Sequence, residues 1–183
     1  MPIAHLRTFP AVWTAALPAA LALLPALALA QTAPMAPAPA CPAPVAPTGA
    51  LAPWSAPVAL QAGADGDHAT PLAPGRAAQI ALLPTPQVHY PLPPARPGSP
   101  ASHGGVLRLD VASAGTYRIA LDAAAWLDVV GADGPQHSTA HGHGPDCSGI
   151  RKMVDFTLKP GRYSVQISAS DPAQVRVLVA VLP

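Results

Sequence analysis

The sequence predicts an all-β fold, a single antiparallel β-sandwich with a jelly-roll-like strand pattern. Three observations carry that prediction. Between residues 104 and 182, strand-length runs alternate apolar and polar residues with a period of two, as strands buried on one face must. Gly, Pro and Asp separate those runs, and each of them favours turns for its own backbone reason. Glu is absent, every acidic residue is Asp, and the chain holds 26 prolines, a composition that works against helices.

Taken in order, the chain begins with a leader. Residues 1–30 carry one arginine, Arg7, and then the apolar run AVWTAALPAALALLPALALA ending in Ala28-Leu29-Ala30. A weakly basic start, an apolar stretch and a small-x-small end predict a secretory signal peptide cleaved after Ala30. Pro18 and Pro25 would break a spanning helix, so no stable membrane anchor is expected after cleavage. With Arg7 removed, the ten Lys and Arg of the chain become nine, matched by nine Asp. That balance excludes a nucleic-acid or anionic-membrane partner that binds by charge alone.

Residues 31–52 read as a Pro/Ala-rich disordered tail, extended and without apolar period. The β-sandwich domain is then 53–183. Its first strands are expected within PVAL (57–60) and RAAQIALLP (76–84), followed by a proline-rich loop or edge segment over 84–100. The alternating runs come next. GGVLRLDV turns Leu107, Leu109 and Val111 one way, and GTYRIALD does the same with Tyr117, Ile119 and Leu121. WLDVV follows, and KMVDFTL turns Val154, Phe156 and Leu158 inward. GRYSVQIS presents Tyr163, Val165 and Ile167, and QVRVLVAVL closes the chain. Pro160-Gly161 predicts a type II turn that joins two of these strands as a hairpin. The echo between GTYRIAL and GRYSVQI predicts two similar hairpins.

Two cysteines remain after cleavage, Cys41 and Cys147. In an exported protein an even pair reads as a disulfide, and closing a loop this long is worth about 4 to 5 kcal/mol in the chain-entropy model.

Chemistry-bearing residues concentrate between 137 and 147. His137, His141 and His143 share parity, so an extended backbone would project them from one face, with Asp146 just beyond. Imidazoles with one carboxylate suit Fe(II), Zn or Cu. The competing reading is a glycine-rich loop, since Gly142, Gly144 and Pro145 interrupt any regular strand. Trp126 and Asp128 share a strand face, and Asp128 is expected to pair with Arg151 or Lys152.

The stretches TYRIALDAAAWLDVV and STAHGHGPDCSGIRKMVDFTLKPGRYSVQIS, together with LLPTPQVHYPLPP, carry a resemblance over roughly 76–183. They resemble short exported bacterial proteins that commonly carry the label homogentisate 1,2-dioxygenase. That label implies ferrous iron held by two His and one carboxylate, opening an aromatic ring with molecular oxygen. In this chain without Glu, the set would be His141, His143 and Asp146, with His137 as a proton shuttle or spare ligand. Three functions therefore stand. The first is an exported periplasmic binding or accessory module whose loop 137–147 meets a metal, a small aromatic ligand or a periplasmic protein. The second is the ring-cleaving dioxygenase. The third is a purely structural, disulfide-stapled domain.

Overall fold

A computed structural model describes residues 41–183; the leader and the tail up to residue 40 lie outside the described residues. Twelve strands form: β1 (Val58–Gln61), β2 (Thr70–Pro71), β3 (Ala77–Ala81), β4 (Leu83–Pro84), β5 (His103–Val111), β6 (Gly115–Leu121), β7 (Trp126–Gly131), β8 (Gly134–Pro135), β9 (Ala140–Gly142), β10 (Lys152–Leu158), β11 (Gly161–Ser170) and β12 (Gln174–Leu182). They make two six-stranded sheets, one ordered β1-β3-β12-β6-β10-β9 and the other β2-β5-β11-β7-β8 with β4 beside β5. The architecture is an all-β sandwich, as the alternation predicts. Most pairs are antiparallel, but β1 pairs β3 and β2 pairs β5 in parallel.

The inward faces are those read from the sequence. Leu107, Leu109, Tyr117, Ile119, Leu121, Phe156, Val165, Ile167 and Val177 meet in one core between the sheets. Each aliphatic side chain so buried contributes about 1.5 to 3 kcal/mol. Val181, although it shares the parity of the buried Val175, Val177 and Val179, is 49% exposed near the end of β12.

The hairpin expected around Pro160-Gly161 does not form. β10 belongs to the first sheet and pairs β6 and β9, whereas β11 belongs to the second and pairs β5 and β7. Gly161 has φ +156°, near-extended and far from the roughly +80° of a type II turn. The chain crosses between sheets here, and Tyr163 pins the corner: its hydroxyl donates to the Lys159 carbonyl at 3.0 Å. Tyr117 does the same at the β5–β6 crossing, donating to the Ser113 carbonyl at 2.8 Å. The Gly-x-Tyr echo is therefore a repeated tyrosine corner. It marks two sheet changes rather than two hairpins.

The described part of the expected tail is folded onto the body. Cys41 and Cys147 form the predicted disulfide, with Cα atoms 5.4 Å apart, and the Val45 amide donates to the Cys147 carbonyl at 2.9 Å. A 3-10 helix over Gly49–Ser55 follows, and its Trp54 packs with Ala77, Ala120, Ile150 and Leu178 on the outer face of the first sheet. A buried tryptophan and a covalent staple outweigh the disorder that the composition implies. The proline-rich stretch caps the other sheet. Leu92 exchanges two hydrogen bonds with the Gln166 side chain, and the Arg96 carbonyl accepts from Ser168. The Tyr90 hydroxyl donates to the Ile167 carbonyl at 2.9 Å, and burial pushes its pKa up to about 12.

A disulfide that forms across the fold fits an oxidising, extracytoplasmic setting. Among the described residues no helix is long and apolar enough to cross a membrane.

Candidate functional site

A groove of about 670 Å³ opens where the β7–β8 margin of one sheet faces the β9–β10 margin of the other. Its size lies in the range of small-molecule sites. The sequence explains the opening, because β8 and β9 span only two and three residues. Such short edge strands leave the sandwich unsealed at this side. Leu127, Val154 and Phe156 line the groove with side chains that also belong to the core, giving it an apolar floor.

The residues singled out in the sequence largely converge here. His137, His141, His143, Trp126, Asp128 and Arg151 all line the groove. His141 stands opposite Val154 across the β9–β10 ladder, which turns it toward the other sheet. The His143 Nδ1 lies 2.7 Å from the Arg151 carbonyl. A carbonyl only accepts, so this nitrogen carries the proton and Nε2 is left as the acceptor of the neutral ring. Gly144 makes the loop possible: its amide donates to the Ile150 carbonyl at 3.1 Å, and a Cβ at this position would collide with Ile150.

Asp146 does not join them. It is exposed in the turn where the Ser148 amide donates back to the Pro145 carbonyl at 3.1 Å, outside the groove lining. Among the described residues no three His, Cys, Asp or Glu side chains gather as a metal-ligand set. The Gly-Pro turn carries the carboxylate away from the imidazoles, and the histidines are spread along the rim.

Asp128 also departs from expectation, since it forms no ion pair with Arg151 or Lys152 among the described residues. One of its oxygens accepts from the Trp126 indole at 3.0 Å, and the other accepts from the Ala95 amide at 3.2 Å. The proline-rich strap thus supplies the partner, which no local reading of WLDVV could name.

Lys152 is the lining residue that the sequence reading undervalued. It stands opposite Leu121 in the β6–β10 register, so its stem projects between the sheets. Its Nζ donates to the Ala125 carbonyl at 3.0 Å and lies 5.0 Å from the Trp126 ring centroid. The Arg96 guanidinium packs over the same ring at 5.1 Å, a second cation–π contact. Burial pushes the Lys152 pKa down and neighbouring Arg96 adds to this, while Asp128 opposes it. A signal was present in the sequence: Lys152, Val154 and Phe156 share parity, so a lysine sits at an inward position of a core strand.

No protein-family model and no curated protein matches the chain.

Proposed function

We propose that the protein is an exported periplasmic binding module, delivered by a leader cleaved after Ala30, and that the β7–β10 groove is its ligand site. One observation carries the reading. The histidines, Trp126, Asp128, Arg151 and Lys152, separated in sequence, line a single groove with an apolar floor. Concave sites with an apolar base and a few convergent polar groups are the usual form of small-molecule sites. The occupant that suits it is a small molecule with an apolar or aromatic body.

The iron-dioxygenase alternative asks for a facial set of two His and one carboxylate. The residues present do not fit that group. Asp146 lies outside the groove, Asp128 is engaged by an indole and an amide, and Lys152 and Arg151 add positive charge to the groove lining. No reaction step is derived through iron.

An amide-detected NMR titration with a library of small aromatic fragments tests the proposal. Shifts clustering on Trp126, Val154, Phe156 and His141 are expected. Shifts that are absent, or scattered over both sheets, would sink it. Elemental analysis of the purified protein beside a His141→Ala/His143→Ala variant addresses the metal separately. Stoichiometric metal that disappears in the variant would reinstate a metal centre.

A further inference from the structure

The charges in the groove are unequal in a way that names the class of its ligand. Lys152 and Arg151 line it, Arg96 packs beside it on Trp126, and Asp128 is the lone carboxylate among the lining residues. Both oxygens of Asp128 already accept hydrogen bonds from Trp126 and Ala95. Elsewhere among the described residues, three of the four arginines within strands find carboxylates: Arg118 meets Asp155 at 2.8 Å, and Arg108 and Arg162 share Asp110, while Arg176 bonds the Gln79 side chain and the Trp54 carbonyl instead. Lys152 forms no such pair, although it is half-buried. Its ammonium has three donors, one given to the Ala125 carbonyl. A partly desolvated cation with no carboxylate in ion-pair contact, only Asp128 further off, is costly, and an anion entering the groove would relieve that cost.

We propose that the groove selects an organic anion, a carboxylate or sulfonate on an aromatic body, and that Lys152 is the residue that reads the charge, with Arg151 supporting it. The inference rests on the reading of the groove as a ligand site. The anionic group meets the Lys152 ammonium at the mouth between the sheets. The ring lies on Leu127, Val154 and Phe156, with the Trp126 face at its side. Burial first and then Arg96 lower the pKa of Lys152 against the opposing Asp128, and a bound anion would raise it again.

The test uses two probes with the same fused-ring body that differ only in charge: 8-anilinonaphthalene-1-sulfonate and neutral N-phenyl-1-naphthylamine. Binding to the purified full chain is followed by probe fluorescence, beside Lys152→Met and Arg151→Ala. The sulfonate should bind more tightly than the neutral probe. Lys152→Met should weaken the sulfonate about 10- to 100-fold, the scale of one charged hydrogen bond, and leave the neutral probe unchanged. Arg151→Ala should weaken the sulfonate less, and being exposed it serves as the variant that keeps the fold. Equal binding of both probes, unaffected by Lys152→Met, would overturn the charge selection while leaving the groove as a ligand site. Binding of neither probe would overturn both.

Discussion

The two tryptophans of the described chain are built alike and do different things. Trp54 donates its indole N–H to the Ser148 carbonyl at 3.0 Å and carries the Arg176 guanidinium over its ring at 5.4 Å. Trp126 donates to Asp128 at 3.0 Å and carries both Arg96 and Lys152 over its ring. The difference lies in how completely each is closed. Trp54 is 2% exposed, and Arg176 is held further by the Gln79 side chain and the Trp54 carbonyl. Trp126 is half-buried at an open groove, and Lys152 beside it has one carbonyl as hydrogen-bond acceptor. A tryptophan with every neighbour satisfied is part of the framework. One flanked by a cation without an ion pair, at an opening, is where the proposed site lies.

The largest effect that would separate the two comes from truncation. Trp54→Ala should cost about 3 to 5 kcal/mol by opening a cavity under the N-terminal segment, read by urea denaturation. Trp126→Ala should cost much less and abolish probe binding. Equal losses of stability would erase the distinction. Next in size, Cys41→Ser should lower stability by about 2 to 4 kcal/mol and loosen the Trp54 side first, seen as faster amide exchange at Val45, whose amide bonds Cys147. His141→Ala/His143→Ala should leave stability unchanged, because both side chains are exposed. If the cysteine change cost nothing, the staple would have no framework role.

Smaller again are the two corners. Tyr117→Phe and Tyr163→Phe each remove a hydroxyl that bonds a carbonyl four residues back. Each should cost about 1 kcal/mol, additively, since they sit at different crossings.

The smallest effect concerns pH. The Lys152 pKa is lowered in the folded chain from its ordinary 10.5. Between that lowered value and 10.5 the unfolded chain holds a proton that the native chain has released. Stability contributed by this group therefore rises with pH across the window. Lys152→Met should remove the slope, measured as the difference between the two chains from pH 8 to 10.5. A parallel pair of curves would place Lys152 in ordinary solvent.

How much of this was legible follows from what is local and what is not. The alternation in β5, β6, β10, β11 and β12 is a period of two within single runs, so the inward faces could be read directly. Which sheet each strand joins depends on partners far along the chain, and so the β10–β11 hairpin was misread. Polar positions were misread for a related reason. Gln166 and Ser168 look like a solvent face but are 1% and 0% exposed, because the proline-rich strap lies over them and bonds them. Asp155, whose parity is opposite to that of the inward Val154 and Phe156, is 6% exposed and clamped by Arg118 from the neighbouring strand. In the site, the histidines, Trp126, Asp128 and Arg151 stood out by residue type. Lys152 could be found by parity, whereas the engagement of Asp128 by Ala95 could not, since 33 residues separate them.

The central claim, that Trp126 faces the proposed ligand groove while Trp54, 2% exposed under a smaller cavity of about 420 Å³, is framework, is tested most directly by fluorine NMR. The chain would carry 5-fluorotryptophan, with resonances assigned from Trp54→Phe and Trp126→Phe, and be titrated with 8-anilinonaphthalene-1-sulfonate. The account predicts a saturable shift of the Trp126 resonance while that of Trp54 stays fixed. A shift at Trp54 with Trp126 unmoved would contradict it.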